Sequence, residues 1–203
     1  YVTALLSDLE SQLHWVAGRP LETIFIGGGT PSLFTGQWID RLLSGIARLV
    51  SISQTAEITL ESNPGSAEAG RFRDYREAGV TRLSIGVLSF DDAALRQLGR
   101  IHTGKEARRA LEWADKAGFS RWNIDLMHGL PGQNSARANA DICEAIECSA
   151  GHISRYQLTI ERNTQFWSTP PPLPDESTLA SIEEAGEERL FEAGFSQYEV
   201  SAF

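Results

Sequence analysis

Apolar residues recur every three or four positions at the start of the chain, which predicts one amphipathic helix from Val2 to Val16. A short apolar run, Thr23 to Ile26, follows and is typical of a buried strand. It leads into the glycine-rich segment Gly27 to Pro31. A second amphipathic helix is predicted next, with one face formed by Trp38, Ile39, Leu42, Leu43, Ile46 and Leu49. The first unit of the chain is therefore helix, strand, glycine loop, helix.

The same order of elements recurs along the rest of the chain. Further strands are predicted at Glu57 to Glu61, Arg82 to Val87, Trp122 to Met127, Ile153 to Ile160 and Ser196 to Val200. Helical stretches separate these strands, and such long crossovers are typical of parallel neighbours, whereas hairpins need only a few residues. The sequence predicts an α/β fold with a parallel sheet and outer helices, in one domain.

Glycines mark the predicted helix ends. Ala-Gly-hydrophobe triplets occur at Gly79, Gly118 and Gly194, with a fourth variant at Ala150-Gly151. Glycine accepts the left-handed conformation that ends a helix, so this repeat is structural. The last helix is predicted to begin near Asp175 or Glu176.

Composition narrows the class of protein. The chain has 203 residues, 41% of them hydrophobic, and no apolar run approaches the roughly 20 residues of a membrane span. A net charge of -9 argues against a nucleic-acid partner, because phosphates attract basic surfaces. The two cysteines, Cys143 and Cys148, lie five residues apart in a helical pattern and form neither a chelate nor a disulfide. We expect a cytoplasmic protein without a transmembrane segment.

Polar and glycine-rich groups gather where the predicted strands end. They comprise Gly27 to Pro31, Glu61 to Gly65, Ser89-Phe90, Asp125 with Gly129 to Gln133, and Thr159 to Asn163. Parallel α/β proteins hold ligands at the carboxyl ends of their strands. The sequence therefore predicts one binding site at this edge of the sheet.

Each group also has a plainer interpretation. The glycine loop serves either a ligand or a tight turn, and Glu61 is either a site residue or a salt-bridge partner. Asp125 lies in an apolar run, so it needs partners and is favoured as a site residue over a structural hydrogen bond. Arg100 could clamp a carboxylate with its guanidinium or lie in solvent.

The histidines are weaker candidates than these groups. His102 and His128 are candidate polar contacts, although a scaffold role is the commoner outcome for a lone histidine. His14 and His152 are assigned to surface and helix-end positions.

Seven motifs occur together in order. They are Ile-Phe-Ile-Gly-Gly-Gly-Thr-Pro-Ser-Leu (24–33), Glu-Ser-Asn-Pro-Gly (61–65), Arg-Leu-Ser-Ile-Gly-Val-Leu-Ser-Phe (82–90), Leu-Gly-Arg-Ile-His (98–102), Asn-Ile-Asp-Leu-Met-His-Gly-Leu-Pro-Gly-Gln (123–133), Tyr-Gln-Leu-Thr-Ile-Glu (156–161) and Tyr-Glu-Val-Ser-Ala-Phe (198–203). Over essentially its whole length the chain resembles the radical S-adenosylmethionine (SAM) family of oxygen-independent coproporphyrinogen III oxidase. It is most similar to the heme-chaperone (HemW-type) branch.

The resemblance implies a partial (β/α)6 TIM-like barrel that binds SAM and a [4Fe-4S] cluster. Residues 1–203 would form the radical SAM core domain, incomplete at both ends. The cluster cysteines and the first strand are expected upstream of Tyr1, so this chain would hold no metal ligand and no catalytic residue of its own. By position, the SAM contacts implied by the resemblance are Gly28, Gly29, Thr30, Glu61, Arg100 and Asp125.

Two positions depart from the family pattern. Leu88 stands where the family usually has glutamine, and a leucine side chain can donate no hydrogen bond to a ligand. Arg162 replaces a common proline in a loop. The change at Leu88 bears directly on how the chain would bind SAM.

The resemblance leaves two functions open. The first is a chaperone that binds heme and delivers it to respiratory hemoproteins. The second is an oxidase that decarboxylates two porphyrinogen propionates by radical chemistry. Either would have porphyrin or heme as a ligand and an electron donor such as a flavodoxin or ferredoxin as a partner.

A third interpretation needs no cluster. The chain would then be an α/β-barrel enzyme that binds a phosphate at Gly27 to Thr30, consistent with the absence of a CxxxCxxC motif from its sequence.

Overall fold

The sheet sets the architecture of the molecule. The computed structural model describes residues 1–16, 18–66, 69–148 and 151–203. Within them, five parallel strands follow one another across the sheet in sequence order and curl into a half-barrel. The strands are β1 Leu21–Ile26, β2 Ile52–Ser62, β3 Arg82–Leu88, β4 Trp122–His128 and β5 His152–Gln157. The predicted parallel α/β class and partial barrel are confirmed.

Helices connect the strands and cover the outer face of the sheet. They are α1 Val2–Ser11, α2 Leu13–Val16, α3 Gly36–Leu49, α4 Ala69–Glu77, α5 Asp92–Gln97, α6 Gly104–Lys116, α7 Ser135–Glu147, α8 Gln165–Ser168 and α9 Glu176–Glu192, with 3-10 turns at Pro31–Leu33 and Pro64–Ser66. Among the described residues, none of the helices combines the length and apolarity that a membrane crossing requires.

The prediction of one continuous helix from Val2 to Val16 is wrong. Helix α1 ends at Ser11, and Gln12 separates it from the single turn of α2. The Gln12 N–H donates to the Leu9 carbonyl at 3.0 Å, and the Trp15 N–H donates to the Gln12 carbonyl at 2.9 Å. These bonds each span three residues, so the chain tightens there and the regular helix is interrupted.

The predicted strand Ser196 to Val200 is also wrong. The chain reverses near its end, because the Tyr198 N–H donates to the Ala202 carbonyl at 3.1 Å. Ala202 forms isolated antiparallel bridges with Glu199 and Ser154. The last residues therefore run antiparallel along the edge of β5. The prediction for β5 itself was too long, since that strand ends at Gln157.

Alternation along the strands separates the core from the inner face. On β3, Leu83, Ile85 and Val87 are fully buried in the core, together with Leu60, Ile124 and Ile153 from neighbouring strands. The core is completed by helical side chains such as Phe72, Tyr75, Leu111 and Ile142. Residues between these positions point to the opposite face, because successive side chains alternate across a strand. The inner face of the half-barrel is therefore free to carry polar groups.

Helix ends follow the predicted chemistry. Gly79, Gly118 and Gly194 have φ of 106°, 81° and 86°, the left-handed region that glycine adopts without strain. Asp175 caps α9 by accepting from the Thr178 N–H at 2.8 Å, so that helix begins at Glu176 as predicted. Ala150, part of the fourth predicted glycine stop, lies outside the described residues.

A buried carboxylate from α7 anchors the exit of β3. Asp141 accepts hydrogen bonds from the Ser89 hydroxyl at 2.8 Å and from the Phe90 N–H at 2.7 Å. Burial raises the pKa of Asp141 to about 6, even though both hydrogen bonds favour the ionised form. The loop after Leu88 is therefore attached to a carboxylate that is costly to ionise.

We expect the anchor to make stability fall as pH rises. The folded pKa lies above the usual value of 3.8, so the native state binds more protons than the unfolded chain between pH 4 and 6. Relative to Asp141→Asn, the wild type should lose about 2 kcal/mol across that window. Urea unfolding of both proteins from pH 4 to 7 measures the difference. A constant difference would contradict the prediction, and Asp115→Asn on the exposed surface of α6 is the matched control.

Close packing at the start of α6 gives a second test. Gly104 lies against the backbone carbonyl of Phe90, where an added Cβ would clash. Gly104→Ala should lower the free energy of unfolding by about 1–3 kcal/mol. Gly70→Ala is the control, because nothing lies within 4 Å of an added Cβ there and alanine favours a helix. Equal stabilities of the two variants in urea unfolding would refute this account of α6.

Candidate functional site

The polar strand ends meet at one edge of the half-barrel and line a cleft. The cleft has a volume of about 590 Å³ and extends over the inner face of the sheet. Of the predicted site residues, Gly29, Glu61 and Asp125 line it, together with Ser84 and Asn123 from β3 and β4. The predicted convergence is therefore present for Gly29 and Glu61 at strand ends, whereas Asp125 lines the cleft from the middle of β4.

The glycine loop after β1 is open on the side of the cleft. Gly28 and Gly29 have φ of 81° and 50°, and no atom lies within 4 Å of a Cβ added at either position. At Gly27, by contrast, an added Cβ would lie 3.1 Å from the Glu61 carboxyl group. Gly27 thus permits a close approach between β1 and β2, while Gly28 and Gly29 leave room for a ligand.

Glu61 links the glycine loop to the end of β2. Its Oε2 accepts a hydrogen bond from the Gly28 N–H at 3.2 Å. Leu60, the preceding residue, is fully buried in the core, so alternation turns Glu61 to the inner face. The second carboxylate oxygen can accept from a ligand that carries an ammonium or hydroxyl group.

Asp125 is largely buried in the middle of β4 and has two neutral donors. The Ser84 hydroxyl donates to its Oδ2 at 3.0 Å, and the Asn123 amide donates to its Oδ1 at 2.7 Å. Burial raises the pKa of Asp125, and these two hydrogen bonds oppose the shift. The expected need of this carboxylate for partners is met by hydroxyl and amide groups.

Arg100 lies in a cavity beside the cleft. Its Nη2 donates to Asn63 Oδ1 at 2.7 Å, and burial lowers the pKa of the guanidinium. This cavity, of about 520 Å³, is also lined by Thr30 and His102. Asn63 lines both this cavity and the cleft, so it lies between Arg100 in the cavity and Asp125 in the cleft. Gly28 and Thr30 also border an apolar groove along β1.

His102 and His128 lie where the scaffold interpretation expects them, and His152 does not lie where it was assigned. His102 is buried and its Nε2 lies 3.0 Å from the Val87 carbonyl, which fits the scaffold alternative. His128 is also buried on the core side, where burial and the charge of Arg155 lower its pKa to about 4. The helix-end assignment of His152 is wrong. It begins β5, and its side chain lines the cleft.

Sequence reasoning missed a polar network on the inner face. Asn123 joins Ser84, Asp125 and His152, and the Tyr198 hydroxyl lies 2.6 Å from His152 Nε2. Counting every second residue through β3 and β4 places Ser84 and Asn123 on the same face as Asp125. That signal was present in the sequence, whereas the contact with Tyr198 depends on the reversal of the chain end.

Leu88 lines the same cleft in an uncommon backbone conformation. Its φ is 64°, and among the described residues other than glycine only Asn163 shares a positive φ. A leucine in this region is strained, and such strain persists where the surroundings enforce it. The leucine that departs from the family pattern thus lines the candidate site.

Metal ligands are not clustered in the described part of the chain. No group of three or more His, Cys, Asp or Glu side chains there is arranged to hold a metal ion. Cys143 and Cys148 are both free thiols.

Comparisons with known proteins agree with the fold. Relatives named "Heme chaperone HemW" are 50% identical in Escherichia coli strain K12 and 48% identical in Haemophilus influenzae, covering 100% of this chain and 54% of each relative. "Radical S-adenosyl methionine domain-containing protein 1, mitochondrial" of Bos taurus is 37% identical over 98% of this chain and 46% of its own length. The chain spans about half the length of these curated relatives.

A solved structure gives the same fold. Coproporphyrinogen III oxidase (HemN) from Escherichia coli, described as a radical SAM enzyme, superposes with a TM-score of 0.86 at 24% identity, over 100% of this chain and 48% of its own. The model of the Radical SAM superfamily matches residues 5–142. Since that match covers more than half of the 203 residues, the chain belongs to the radical SAM superfamily.

Proposed function

We propose that this chain is the SAM-binding core of a heme chaperone. The observation that carries the proposal is the similarity of the whole chain to about half of a protein of that name, at 50% identity. Residues 1–203 of this chain would form most of the radical SAM core domain, which is incomplete at both ends. Further sequence would supply the heme site. We place the protein in the cytoplasm, with an electron donor such as a flavodoxin or ferredoxin and heme-accepting respiratory proteins as partners.

The residues present fit SAM. Gly28 and Gly29 leave open space beside Glu61, whose free carboxylate oxygen would hold the amino group of the ligand. Asp125 would accept from a ribose hydroxyl, and Arg100 would neutralise the ligand carboxylate. When bound with a reduced [4Fe-4S] cluster, SAM supplies one-electron radical chemistry.

The cluster ligands must come from sequence outside these 203 residues. A [4Fe-4S] cluster of this family takes three cysteines, and the chain contains only Cys143 and Cys148. Cys143 lies within α7 and Cys148 is the C-cap residue that follows it, and the side chain of Cys143 accepts from Arg189 Nε at 3.3 Å. Neither cysteine lines the cleft. The role of this chain is therefore to bind and orient SAM, not to ligate the cluster.

Leu88 bears on how tightly the site would bind SAM. The resemblance places a glutamine at this position, and an apolar side chain there would leave SAM with one polar contact fewer. That loss applies equally to a chaperone and to an oxidase, so Leu88 does not discriminate between them.

Glu61 gives a direct test of SAM binding. Glu61→Gln removes the negative charge beside Gly28 and should weaken SAM binding about tenfold or more. The measurement is equilibrium dialysis with radiolabelled SAM, on the full-length protein reconstituted anaerobically. Glu57→Gln is the matched control, because Glu57 lies on the same strand near Arg82 and does not line the cleft. Unchanged binding by Glu61→Gln would remove Glu61 from the site.

The function itself is tested by two parallel assays of the reconstituted full-length protein. We expect stoichiometric heme binding, followed by absorbance, and no decarboxylation of coproporphyrinogen when reductant and SAM are supplied. Decarboxylation would instead establish the oxidase. Failure to bind SAM, heme and a cluster would favour the phosphate-binding barrel at Gly27 to Thr30.

A further inference from the structure

The inner face of the half-barrel carries a continuous chain of hydrogen bonds that leads from Tyr198 to Asp125. The Tyr198 hydroxyl and His152 Nε2 are 2.6 Å apart. His152 Nδ1 and Asn123 Oδ1 are also 2.6 Å apart, and the Asn123 amide donates to Asp125 at 2.7 Å. His152, Asn123 and Asp125 do not belong to the hydrophobic core, and Tyr198 is exposed.

Only one orientation of the Asn123 amide satisfies its neighbours. Asn123 is 3% exposed, and its Nδ2 donates to Asp125 Oδ1 and to Ser84 Oγ at 2.8 Å. Its Oδ1 accepts from Ser154 Oγ at 3.1 Å and faces His152. The flipped amide would set its oxygen against the Asp125 carboxylate, so the ionised carboxylate selects the observed orientation.

The same orientation defines the tautomer of His152. Because Asn123 Oδ1 can only accept, His152 Nδ1 carries the proton and Nε2 is left to accept from the Tyr198 hydroxyl. The ring of Tyr198 also packs edge-on against the imidazole, with centroids 5.6 Å apart. Tyr198 thereby fixes the orientation of His152, and His152 in turn fixes the orientation of the Asn123 amide.

We propose that Asn123 is a positioning residue, which His152 holds in one amide orientation and which orients the Asp125 carboxylate towards the ligand space of the cleft. One oxygen of Asp125 takes the Asn123 donor and the other takes the Ser84 donor, so each retains a lone pair for a ligand. The identity of that ligand as SAM depends on the proposed function, whereas the coupling between Asn123 and Asp125 does not.

The charge state of Asp125 provides the measurable consequence. The Asn123 hydrogen bond lowers the pKa of Asp125 against the raising effect of burial, so its loss raises that pKa further. The other charged groups around the carboxylate are Glu61 on β2, which raises the pKa, and Arg82 on β3, which lowers it. His152 and Glu199 line the same cleft from β5 and the chain end. None of these four is changed in the test below.

The test measures the midpoint of Asp125 ionisation in the full-length protein by infrared difference spectroscopy, with Asp125→Asn to assign the carboxyl band. We expect Asn123→Ala to raise the midpoint by about half a pH unit or more. Asn123→Asp, which keeps the shape but adds a like charge, should raise it further. Gln133→Ala is the matched control, because Gln133 is also a buried amide but accepts from the Leu130 N–H and does not line the cleft.

SAM binding is the second readout, measured by equilibrium dialysis across the same pH range. Asn123→Ala should weaken binding about tenfold at neutral pH and move its acid limb upward with the carboxyl midpoint. An unchanged midpoint in Asn123→Ala overturns the inference, and so does a shifted midpoint with unchanged SAM affinity. If the wild type binds no SAM at any pH, the proposed function fails, and the infrared midpoint still decides the role of Asn123.

Discussion

The parallel register of the strands is the constraint on which the rest of the structure depends. It sets Leu60 beside Leu83 and Glu61 beside Ser84, so that apolar and polar residues each form continuous layers across the sheet. A slip of one residue would exchange the two faces, moving Glu61 into the core and Leu60 into the cleft. The burial of the apolar layer therefore holds the polar layer in place, and the site needs no separate scaffold.

The sequence was sufficient for the layers but not for contacts between strands. Glycine stops, the order of crossovers and the position of Glu61 and Asp125 follow from local patterns along one segment at a time. The contact of Asn123 with His152 requires the register between β4 and β5, which no local pattern contains. The strand predicted over Ser196 to Val200 failed for a related reason, since the turn that replaces it is held by a bridge between Ala202 and the distant Ser154.

A polar inner face is tolerated because its members satisfy one another. Ser84, Asn123 and Ser154 are each at most 6% exposed, and all three hydrogen-bond within the same network. Most of these groups are neutral, so their burial avoids the larger cost of isolated charges. Asp125 is the charged member, and its donors are side chains already fixed by the network. The polar residues that form the floor of the cleft thus also orient the Asp125 carboxylate.

Strain at Leu88 follows from the way β3 leaves the sheet. The Ser89 N–H donates to the Val87 carbonyl at 2.9 Å, which closes a γ-turn with Leu88 at its centre. His102 Nε2 lies against the same carbonyl, and Asp141 holds the two residues after the turn. A positive φ at leucine costs about 1–3 kcal/mol, so these anchors outweigh a real penalty. The backbone, rather than the identity of residue 88, therefore directs that side chain into the cleft. Leucine in place of glutamine changes the chemical character of the side chain that lines the cleft, but not its position.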